Sequence, residues 1–573
     1  MNKLIKIWQL FDFNEKKKFL FIIFFSLIYV FFEALSISLV IPIVALLMNP
    51  DFVNNDYLVK LINFFDLNQF IISSNAIQIL CIILTCIFVI KNIYIYLYYL
   101  FIYKFIENLQ TNISKKILNK YLHQSYNFFI TRKSSSLIAT INDESNNISQ
   151  FIALPFIYLI SEGLLIGGII LLIIIFDFIK VGIVLSVFMV VAIFLLKSIS
   201  AYLRKIGKKR QEATKIKILN INKLILNIRE IILSGKKNFY FNSYSKSIGE
   251  IAETRIKNRT FDILPRLFFE IIAIFSVTTI ILYLYFINSP NDQIISSLTF
   301  FVLVSLKIIP SLNKFIHSYQ NLQYSDSIIN LISKEMNLKK SILYFSNKLK
   351  FNKLVSFQNV NFNYPQRNTY VFKNLNFNIK KNTTIGIVGM SGVGKSTFID
   401  LLSGLLKPTK GFIKVDNKIL KNMKLVRSWQ NNISYVSQNI NLFDDTIKNN
   451  ICLPSNKSID EKKLLSVVAN LDLKDAIENL PEKYETTLNE TAKNLSGGQI
   501  QRLGLARALY EDGNILILDE ATNALDNITD NKIINVIKKL KKKKTIIIIS
   551  HKKNILNICD QIFTIKNSKL IKC

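Results

Sequence analysis

Long apolar runs fill the chain up to about residue 320, whereas shorter apolar runs alternate with polar stretches beyond it. The early runs reach or exceed the roughly 20 residues that an α-helix needs to cross a bilayer. This pattern predicts a membrane α-helical bundle with six spans. The predicted spans are Phe19–Met48, Ala76–Tyr103, Phe151–Phe176, Val181–Leu203, Ile263–Phe286 and Ile294–Ile316.

The distribution of positive charge orients the predicted spans. The stretch from Lys197 to Arg259 carries sixteen Lys and Arg residues, whereas the three connections expected on the opposite side carry two between them. Because Lys and Arg accumulate on the cytoplasmic side, the N-terminus and segments 104–150 and 197–260 are predicted to be cytoplasmic. Both segments are nearly free of Gly and Pro, so we expect helices that continue the spans. An even number of spans also leaves the C-terminal part in the cytoplasm.

The C-terminal part alternates strand-like and helical runs, which is typical of an α/β domain. Its short apolar runs, Thr384–Val388, Ile515–Asp519 and Thr545–Ser550, are typical of strands buried on both faces. The predicted organisation is therefore a transmembrane domain followed by a linker and an α/β domain. Their expected bounds are 1–335, 336–353 and 354–573.

A phosphate-binding loop follows the first of these strands. Eight residues fit the pattern G-x-x-x-x-G-K-[ST], and Thr397 follows them directly in the same loop: Gly389, Met390, Ser391, Gly392, Val393, Gly394, Lys395 and Ser396. Such glycines let backbone N–H groups face phosphate oxygens at a helix N-terminus. We expect Lys395 to reach the β- and γ-phosphates and the Ser396 hydroxyl to bind Mg²⁺. The alternative is a glycine-rich turn that only starts a helix.

A second set of motifs indicates which family of phosphate-loop proteins the chain resembles. Leu495-Ser496-Gly497-Gly498-Gln499 precedes a predicted helix, and the apolar run that ends in Asp519-Glu520 follows about twenty residues later. A phosphate loop, LSGGQ and an apolar strand ending in two acids, in this order, resemble the ATP-binding cassette (ABC) ATPases. The resemblance covers residues 355–573. The six spans ahead of it resemble those of the exporter half-transporters of that superfamily.

The resemblance implies roles for several residues. Tyr364 matches the aromatic residue that stacks on adenine, although a tyrosine of the core is the alternative. Gln438 matches the residue that contacts Mg²⁺ and senses the membrane domain. Asp519 would hold Mg²⁺, and Glu520 would orient and deprotonate the attacking water. His551 matches the histidine that contacts the γ-phosphate. The implied activity is Mg²⁺-dependent ATP hydrolysis coupled to transport.

The same resemblance implies a dimer. In this family the LSGGQ motif of one subunit closes over the ATP held by the phosphate loop of the other, and this chain has one copy of each motif. Ser496, Gly497, Gly498 and Gln499 are therefore expected to contact the nucleotide of a second identical subunit.

Two segments depart from the exporter pattern: residues 487–494 lack the usual glycines, and Lys552-Lys553-Asn554 replaces the expected Arg-Leu-Ser after His551.

Ionisable residues inside the predicted spans are informative because each costs about 2.5–3.5 kcal/mol at a helix centre on insertion scales. Two interpretations remain open. The charges pair with one another or reach the interface, as Arg266 and Glu270 could at a spacing of four. Alternatively, Lys91, Arg266 and Lys307 face a hydrated cavity and bind an anionic substrate. The six residues are Glu33, Lys91, Glu162, Arg266, Glu270 and Lys307.

Within the exporters, the membrane region is similar to the bacterial lipid-linked-oligosaccharide flippases of protein N-glycosylation. The matching pieces are Glu33 with Ser36–Pro42, Leu264-Pro265-Arg266 with Glu270, and Ile309-Pro310-Ser311 with His317-Ser318-Tyr319. This resemblance implies flipping of a polyprenyl-diphosphate-linked glycan across the bacterial inner membrane. The alternatives are a general exporter of drugs, peptides or other lipids, and a membrane-anchored regulatory ATPase that transports nothing.

The net charge of +33 raises the question of a nucleic-acid partner. Lysine is abundant along the whole chain, together with Ile and Asn, and no recognition motif accompanies the charge. We therefore expect the membrane bilayer, a second subunit and an amphipathic substrate as partners, and no nucleic acid.

Overall fold

The structure is a computed structural model that describes residues 2–48, 76–175, 179–286, 291–339, 347–365, 367, 369–453, 458–489, 495–522 and 527–573. The chain forms two compact units. Unit 1 comprises Met1–Leu122 and Arg132–Lys339, and unit 2 comprises His123–Thr131 and Lys340–Cys573.

Unit 1 is helical. Its α-helices are α1 Asn2–Leu10, α2 Phe13–Met48, α3 Ala76–Leu122, α5 Ser134–Ala139, α6 Ser145–Ile148, α7 Leu154–Ile175, α8 Ile179–Leu226, α9 Ile228–Leu233, α10 Lys237–Phe286, α11 Asn291–Tyr324 and α12 Asp326–Met336. Two π-helical turns, Thr140–Glu144 and Ser149–Ala153, join α5, α6 and α7 into one path. Within the described residues, six helices are long and apolar enough to cross a membrane. The expected membrane bundle of six spans is confirmed.

Several spans continue far beyond the thickness of a bilayer. Helix α3 has 47 residues, α8 has 48 and α10 has 50. At 1.5 Å per residue each is about 70–75 Å long, more than twice the hydrocarbon thickness of about 30 Å. The expectation that the segments after the second and fourth spans continue as helices is therefore correct.

The spans pack through large apolar side chains. Tyr29, Phe188, Phe269, Phe300 and Phe301 belong to one buried cluster contributed by α2, α8, α10 and α11. The Phe188 and Phe269 rings lie 5.7 Å apart between α8 and α10. Pro265 stands inside α10 and Pro310 inside α11, and neither ends its helix.

Unit 2 is an α/β domain. Its strands are β1 Leu354–Phe362, β2 Phe372–Lys380, β3 Thr384–Val388, β4 Lys410–Val415, β5 Lys418–Ile419, β6 Ile433–Val436, β7 Asp445–Thr446, β8 Thr487–Leu488, β9 Ile515–Asp519, β10 Thr545–Ile549, β11 Gln561–Lys566 and β12 Lys569–Lys572. Its α-helices are α4 Tyr126–Thr131, α13 Lys395–Leu402, α14 Met423–Gln430, α15 Ile447–Cys452, α16 Glu461–Asn470, α17 Lys474–Glu478, α18 Gly497–Glu511, α19 Asn527–Leu540 and α20 Lys553–Leu556, with a 3₁₀ turn at Lys483–Glu485.

A six-stranded sheet in the order β12-β11-β3-β10-β9-β6 organises unit 2. It is parallel except for the β11–β12 pair. All five residues of β9 and of β10 are buried. Their side chains alternate between two cores: Leu516 and Ile546 join one, and Ile517 and Ile547 join the other. Burial on both faces explains why these strands are continuous apolar runs.

A second, antiparallel sheet in the order β2-β1-β4-β5 and the short β7–β8 pair complete the unit. Aromatic side chains fill the space between the antiparallel sheet and α13: the Phe357 and Phe398 rings stack at 5.2 Å, and Phe377 meets Phe398 edge-on at 5.7 Å. This packing fixes the helix that starts at the phosphate loop.

Candidate functional site

Four chemically active segments meet at one edge of the six-stranded sheet. The phosphate loop follows β3, Asp519 and Glu520 end β9, His551 follows β10, and Gln438 follows β6. These strands are neighbours and parallel, and Ile549 pairs with both Asp519 and Ile387 in register. Because parallel strands end at the same edge, their carboxyl ends place these side chains together, as ligand sites of open α/β sheets generally are.

The phosphate loop has the backbone geometry that its glycines permit. Gly389, Gly392 and Gly394 have φ values of 153°, 79° and 113°. A Cβ on Gly394 would lie 2.8 Å from the Val371 side chain, so a larger residue there would meet both backbone strain and a steric clash. Helix α13 begins at Lys395, in the last part of the loop, so its N-terminal N–H groups face the preceding glycines.

Lys395 is held at the centre of the site. Its Nζ donates to the Gly389 carbonyl at 2.6 Å, lies 2.9 Å from His551 Nε2 and is 3.9 Å from Glu520 Oε1. The structure therefore brings Lys395, Glu520 and His551 together. An ammonium in this position can donate to phosphate oxygens that replace its present partners.

Glu520 is fixed through both its side chain and its backbone. Gln438 Nε2 donates to Glu520 Oε2 at 2.7 Å, and the Glu520 N–H donates to the Ile549 carbonyl at 2.9 Å. Its φ of 52° lies in the left-handed region, which is uncommon for a residue other than glycine. Non-glycine residues held in this region occur preferentially at functional sites. The Gln438 amide oxygen remains available as a ligand, because its N–H makes the contact with Glu520.

Two acidic residues lie close to each other beside Glu520, and the sequence pointed to only one of them. Asp519 is 7% exposed, its Oδ2 accepts from the Tyr435 hydroxyl at 3.2 Å, and burial raises the pKa of its carboxyl. Burial together with nearby Asp519 raises the pKa of Asp400, on α13, to about 6. Asp400 was missed because its proximity to Asp519 depends on α13 packing beside β9, which no local motif indicates.

Tyr364 stands beside the phosphate loop. Its hydroxyl is 3.1 Å from Thr397 Oγ1, and its ring meets Phe362 edge-on at 5.1 Å. Thr397 is buried in α13, whereas Ser396 and Met390 are exposed. Tyr364 is only partly buried, so this position is compatible with an aromatic platform next to the nucleotide.

The LSGGQ segment forms the start of helix α18. Ser496 is the N-cap: its Oγ accepts from the Gln499 N–H at 3.2 Å, and its own N–H donates to Gln499 Oε1 at 2.7 Å. This reciprocal pair is a capping box, and the S-x-x-Q spacing is its sequence signature. Gly497 and Gly498 occupy the first turn, so their N–H groups lie at the positive end of the helix. The altered stretch before LSGGQ lies largely outside the described residues, which end at Asn489 and resume at Leu495.

The unexpected lysine after His551 has specific partners. Lys552 Nζ donates to the Thr522 carbonyl at 2.6 Å and lies 3.3 Å from Asp530 Oδ2. Asp530 is 2% exposed, so the lysine compensates a buried carboxylate on α19. Lys552 therefore links the loop after β10 to α19.

The donor set suits a magnesium–triphosphate complex. Backbone N–H groups, Lys395 and His551 can contact phosphate oxygens. The Ser396 hydroxyl, the Asp519 carboxylate and the Gln438 amide oxygen are oxygen donors of the kind that Mg²⁺ prefers. The raised pKa of Asp519, caused by burial, indicates a carboxylate that a cation would stabilise.

In unit 1, the structure brings two of the three expected cavity cations together. Glu33, with a 4% exposed side chain, lies 3.3 Å from Lys91 Nζ and 3.0 Å from Lys307 Nζ through its Oε2. Lys91 Nζ also lies 3.2 Å from Ser36 Oγ. This cluster of two cations and one carboxylate joins α2, α3 and α11.

Arg266 lies apart from that cluster. Its Nε donates to Glu270 Oε1 at 2.8 Å on the same helix, and both side chains are more than half exposed. The pair borders a largely apolar groove of about 660 Å³ between α10 and α11, with Leu306 and Pro310 on the opposite side. Lys307, one residue along, instead points to Glu33. The expectation that Lys91, Arg266 and Lys307 face one cavity therefore differs from the structure, because Arg266 does not share the contacts of the two lysines.

The sequence analysis did not single out Lys314, which forms a further ion pair in the spans. Lys314 Nζ lies 3.4 Å from Glu162 Oε1 and 3.2 Å from the Tyr99 hydroxyl. Lys307 and Lys314 are seven residues apart, so they project from one side of α11 about 10 Å apart along its axis. This cationic side of α11 is turned away from its groove side. The seven-residue spacing of the lysines was the available signal.

Models of protein families match both halves of the chain. A model described as "ABC transporter" matches residues 372–523, and one described as "ABC transporter transmembrane region" matches residues 19–309. The second match alone covers half of the chain.

Several curated relatives are lipid exporters by name. An ATP-dependent lipid A-core flippase of Wigglesworthia glossinidia brevipalpis is 28% identical over 474 residues, which are 80% of this chain and 79% of the relative. The protein of the same name from Photobacterium profundum is 24% identical over 473 residues, with the same shares of each chain. A bacterial Atm1-family ABC exporter solved with ATP bound has the same fold, with a TM-score of 0.79 at 17% identity over 95% of this chain and 93% of that one.

Proposed function

The chain belongs to the ABC transporters, and we propose that two copies form an exporter that flips a lipid-linked saccharide across the bacterial inner membrane. The chain is an ATP-hydrolysing exporter half with Mg²⁺ as its cofactor. The most specific substrate that we propose is a polyprenyl-diphosphate-linked oligosaccharide. The proposed orientation places the N-terminus and unit 2 in the cytoplasm, because the positive charge concentrates in the corresponding segments.

In the proposed chemistry, Glu520 takes the proton from the water that attacks the γ-phosphate. Its carboxylate is held by Gln438 at 2.7 Å, so it does not have to be oriented during the reaction. Lys395 and His551 stabilise negative charge that develops on the transferred group. Ser396, Gln438 and Asp519 supply the oxygen ligands for Mg²⁺, which neutralises charge on the phosphates.

We propose the binding roles from the same geometry. The phosphate loop from Gly389 to Thr397 binds the triphosphate, and Tyr364 provides a surface for the adenine. Ser496 and the N-terminal N–H groups of α18 close over the ATP of the partner subunit, where the helix dipole favours an anion. Because each chain has one phosphate loop and one LSGGQ segment, a pair of complete sites needs two chains.

The observation that carries the substrate proposal is the two-sided character of α11. One side borders the apolar groove of about 660 Å³, and the other carries Lys307 and Lys314. An apolar groove suits a lipid tail and cations suit an anionic headgroup, so the helix offers both parts of an amphipathic substrate a surface. Relatives named as flippases of lipid A-core, a saccharide-bearing lipid, support this substrate class.

The charge pairing in the spans favours the general exporter as a second candidate. Lys91 and Lys307 share Glu33, Lys314 pairs with Glu162, and Arg266 pairs with Glu270. Cations that are already paired bind an added diphosphate less strongly, because the anion must compete with a carboxylate. A drug, peptide or uncharged lipid would need no such exchange.

The test is substrate-stimulated ATP hydrolysis by the full chain in nanodiscs. A polyprenyl-diphosphate-linked oligosaccharide, lipid A-core and a hydrophobic drug are compared at equal concentrations. The proposal predicts stimulation by the two saccharide lipids, with the larger effect from the diphosphate lipid. Stimulation by the drug alone would contradict the proposal and support the general exporter.

Variants then test the cations. We expect the Lys91→Ala/Arg266→Ala/Lys307→Ala variant to lose stimulation and keep basal ATP hydrolysis, and Arg266→Lys to be partly active because lysine lacks the bidentate fork. Glu270→Gln is the matched control for the pair with Arg266. Full stimulation of a well-folded triple variant would exclude a diphosphate-binding role for these residues.

A further inference from the structure

The helical extensions of the third, fourth and fifth spans border an open polar cavity that the transport proposal does not use, and Arg255 and Arg259 are exposed at it. It has a volume of about 590 Å³ and lies between the path through α5 and α6, α8 and α10. We call it the extension cavity, and the residues that matter here are Asn142, Asn146, Arg210, Lys217, Arg255 and Arg259. Its volume lies within the usual range of small-molecule sites.

Positive charge exceeds negative charge in the extension cavity. Four cations line it, and the nearby carboxylates are Asp143, 3.1 Å from Lys217, and Glu144, 2.8 Å from Arg210. Two positive charges therefore remain in excess. These belong to Arg255 and Arg259, which lie one turn apart on one face of α10. Within the described residues, neither guanidinium forms a hydrogen bond or an ion pair.

A buried polar atom in the wall also lacks a partner. Arg210 is 4% exposed, and its Nε–H finds no acceptor among the described residues. Its Nη2 is already committed to Glu144 Oε2. Glu144 Oε1 is likewise buried without a partner, so both unpaired atoms belong to the Arg210–Glu144 ion pair, which joins α8 to the π-helical turn beside the cavity.

Neutral donors and an unusual backbone accompany the cations. Asn146 uses its Oδ1 to accept from Gln110 at 2.9 Å, which leaves its amide N–H groups for another partner. Asn142 lies one turn away, within the π-helical turn Thr140–Glu144. π-Helical turns are rare and are frequent at functional sites.

We propose that the extension cavity binds an organic phosphate that carries about two negative charges. Phosphate monoesters have this charge near neutral pH, and the arginine fork matches phosphate geometry. The phosphate can belong to a soluble metabolite or to a lipid headgroup. The second source is sterically accessible, because Arg259 precedes the predicted start of the fifth span at Ile263 by four residues, or about 6 Å of helix. The site does not depend on the identity of the transported substrate.

The experiment measures phosphate binding to the full chain in phosphatidylcholine nanodiscs. A Lys395→Ala background removes the phosphate loop as a competing anion site. One arm titrates glucose 6-phosphate by calorimetry, and the other adds phosphatidic acid to the nanodisc and detects retained lipid by native mass spectrometry. Arg255→Gln/Arg259→Gln is compared with Lys205→Gln/Lys208→Gln, which removes two exposed charges of the same extensions outside the cavity.

We expect the arginine variant to weaken binding by about tenfold or more, since a hydrogen bond to a charged group contributes about 1.5–3 kcal/mol, whereas the lysine variant binds like the parent. Asn142→Asp, which adds a negative charge without removing a cation, should weaken binding as well. Binding of the sugar phosphate assigns a soluble ligand, and retention of phosphatidic acid alone assigns a lipid headgroup. No binding in either arm, or equal losses in the arginine and lysine variants, would overturn the proposal. With Lys395 restored, unchanged basal ATP hydrolysis verifies that the variants fold.

Discussion

Glu520 illustrates how single residues in the site are constrained before any substrate arrives. Its φ of 52° is unfavourable, and a hydrogen bond from its N–H to Ile549 and one from Gln438 to its carboxylate hold it there. A base that is fixed in advance has less entropy to lose in the transition state. The constraint is local to the end of β9, so conservative changes at this residue test its chemistry without disturbing the fold.

We predict that Glu520→Gln retains ATP binding and loses hydrolysis by about 10²–10⁴-fold, the usual contribution of a positioned general base. The amide keeps the size of the side chain, so the site should stay folded. Steady-state phosphate release and nucleotide binding in nanodiscs measure the two effects. Glu482→Gln is the control, because it makes the same change at an exposed carboxylate that is not one of the site residues. Near-normal turnover by Glu520→Gln would contradict the assignment.

Asp400 offers a test of electrostatics beside the proposed metal site. Burial and nearby Asp519 raise its pKa to about 6. Between about pH 4 and pH 6 the folded protein therefore binds more protons than the unfolded chain, so stability falls as pH rises through this window. Above it, ionised Asp400 exerts its full destabilising effect.

We therefore predict that Asp400→Asn raises the melting temperature at pH 7.5 in EDTA by about 2–4 °C, equivalent to about 1 kcal/mol for a domain of this size. The gain should shrink as the pH is lowered from 6 toward 4. Asp444→Asn, at an exposed carboxylate, should show no such pH-dependent gain. A pH-independent effect of Asp400→Asn would show that ionisation of this carboxyl does not cause it.

At the scale of elements, one residue of helix α18, Ser496, has both a structural role and a proposed role in ATP hydrolysis. Ser496 caps the helix through Gln499, and its hydroxyl is also proposed to contact the partner's ATP. The two uses can be separated, because aspartate is as good an N-cap as serine but brings a negative charge toward a phosphate. Alanine, by contrast, removes both the cap and the hydroxyl.

We predict that Ser496→Ala destabilises the protein by about 1 kcal/mol, the usual contribution of an N-cap, and that Ser496→Asp does not. Both variants should hydrolyse ATP more slowly, and Ser496→Asp should be the less active one despite its stability. Chemical denaturation and ATP hydrolysis of the full chain measure the two properties. Equal stability of the alanine and aspartate variants would show that the cap contributes nothing measurable.

The elements that the sequence predicted are those with a local pattern. The apolar runs of β9 and β10, the six spans and the phosphate loop each carry their own periodicity or motif. No local motif indicates which distant segments come together. Asp400 lies near Asp519, Lys314 pairs with Glu162, and Lys552 pairs with Asp530 only once the chain is folded. Arg266 and Lys307 were grouped by charge alone, whereas the helix faces on which they lie separate them.

At the scale of the whole molecule, the proposed transport needs both units, because neither has all the parts for it. Unit 2 contains the residues that we propose hydrolyse ATP, but its LSGGQ segment and phosphate loop are proposed to serve different nucleotides. Unit 1 contains the apolar groove and the cationic side of α11, which together suit an amphipathic substrate. Directional movement of lipid requires that both be coupled in a dimer.

Lipid translocation in proteoliposomes is the most direct test of this account. The full chain is reconstituted with a fluorescent polyprenyl-diphosphate-linked oligosaccharide, and the fraction protected from an external quencher or glycosidase is followed after Mg-ATP is added. We predict ATP-dependent movement of the labelled lipid from the leaflet on the side of unit 2 to the opposite leaflet, abolished by Glu520→Gln. ATP hydrolysis without movement of the lipid, or equal movement by Glu520→Gln, would contradict ATP-driven flipping of this substrate.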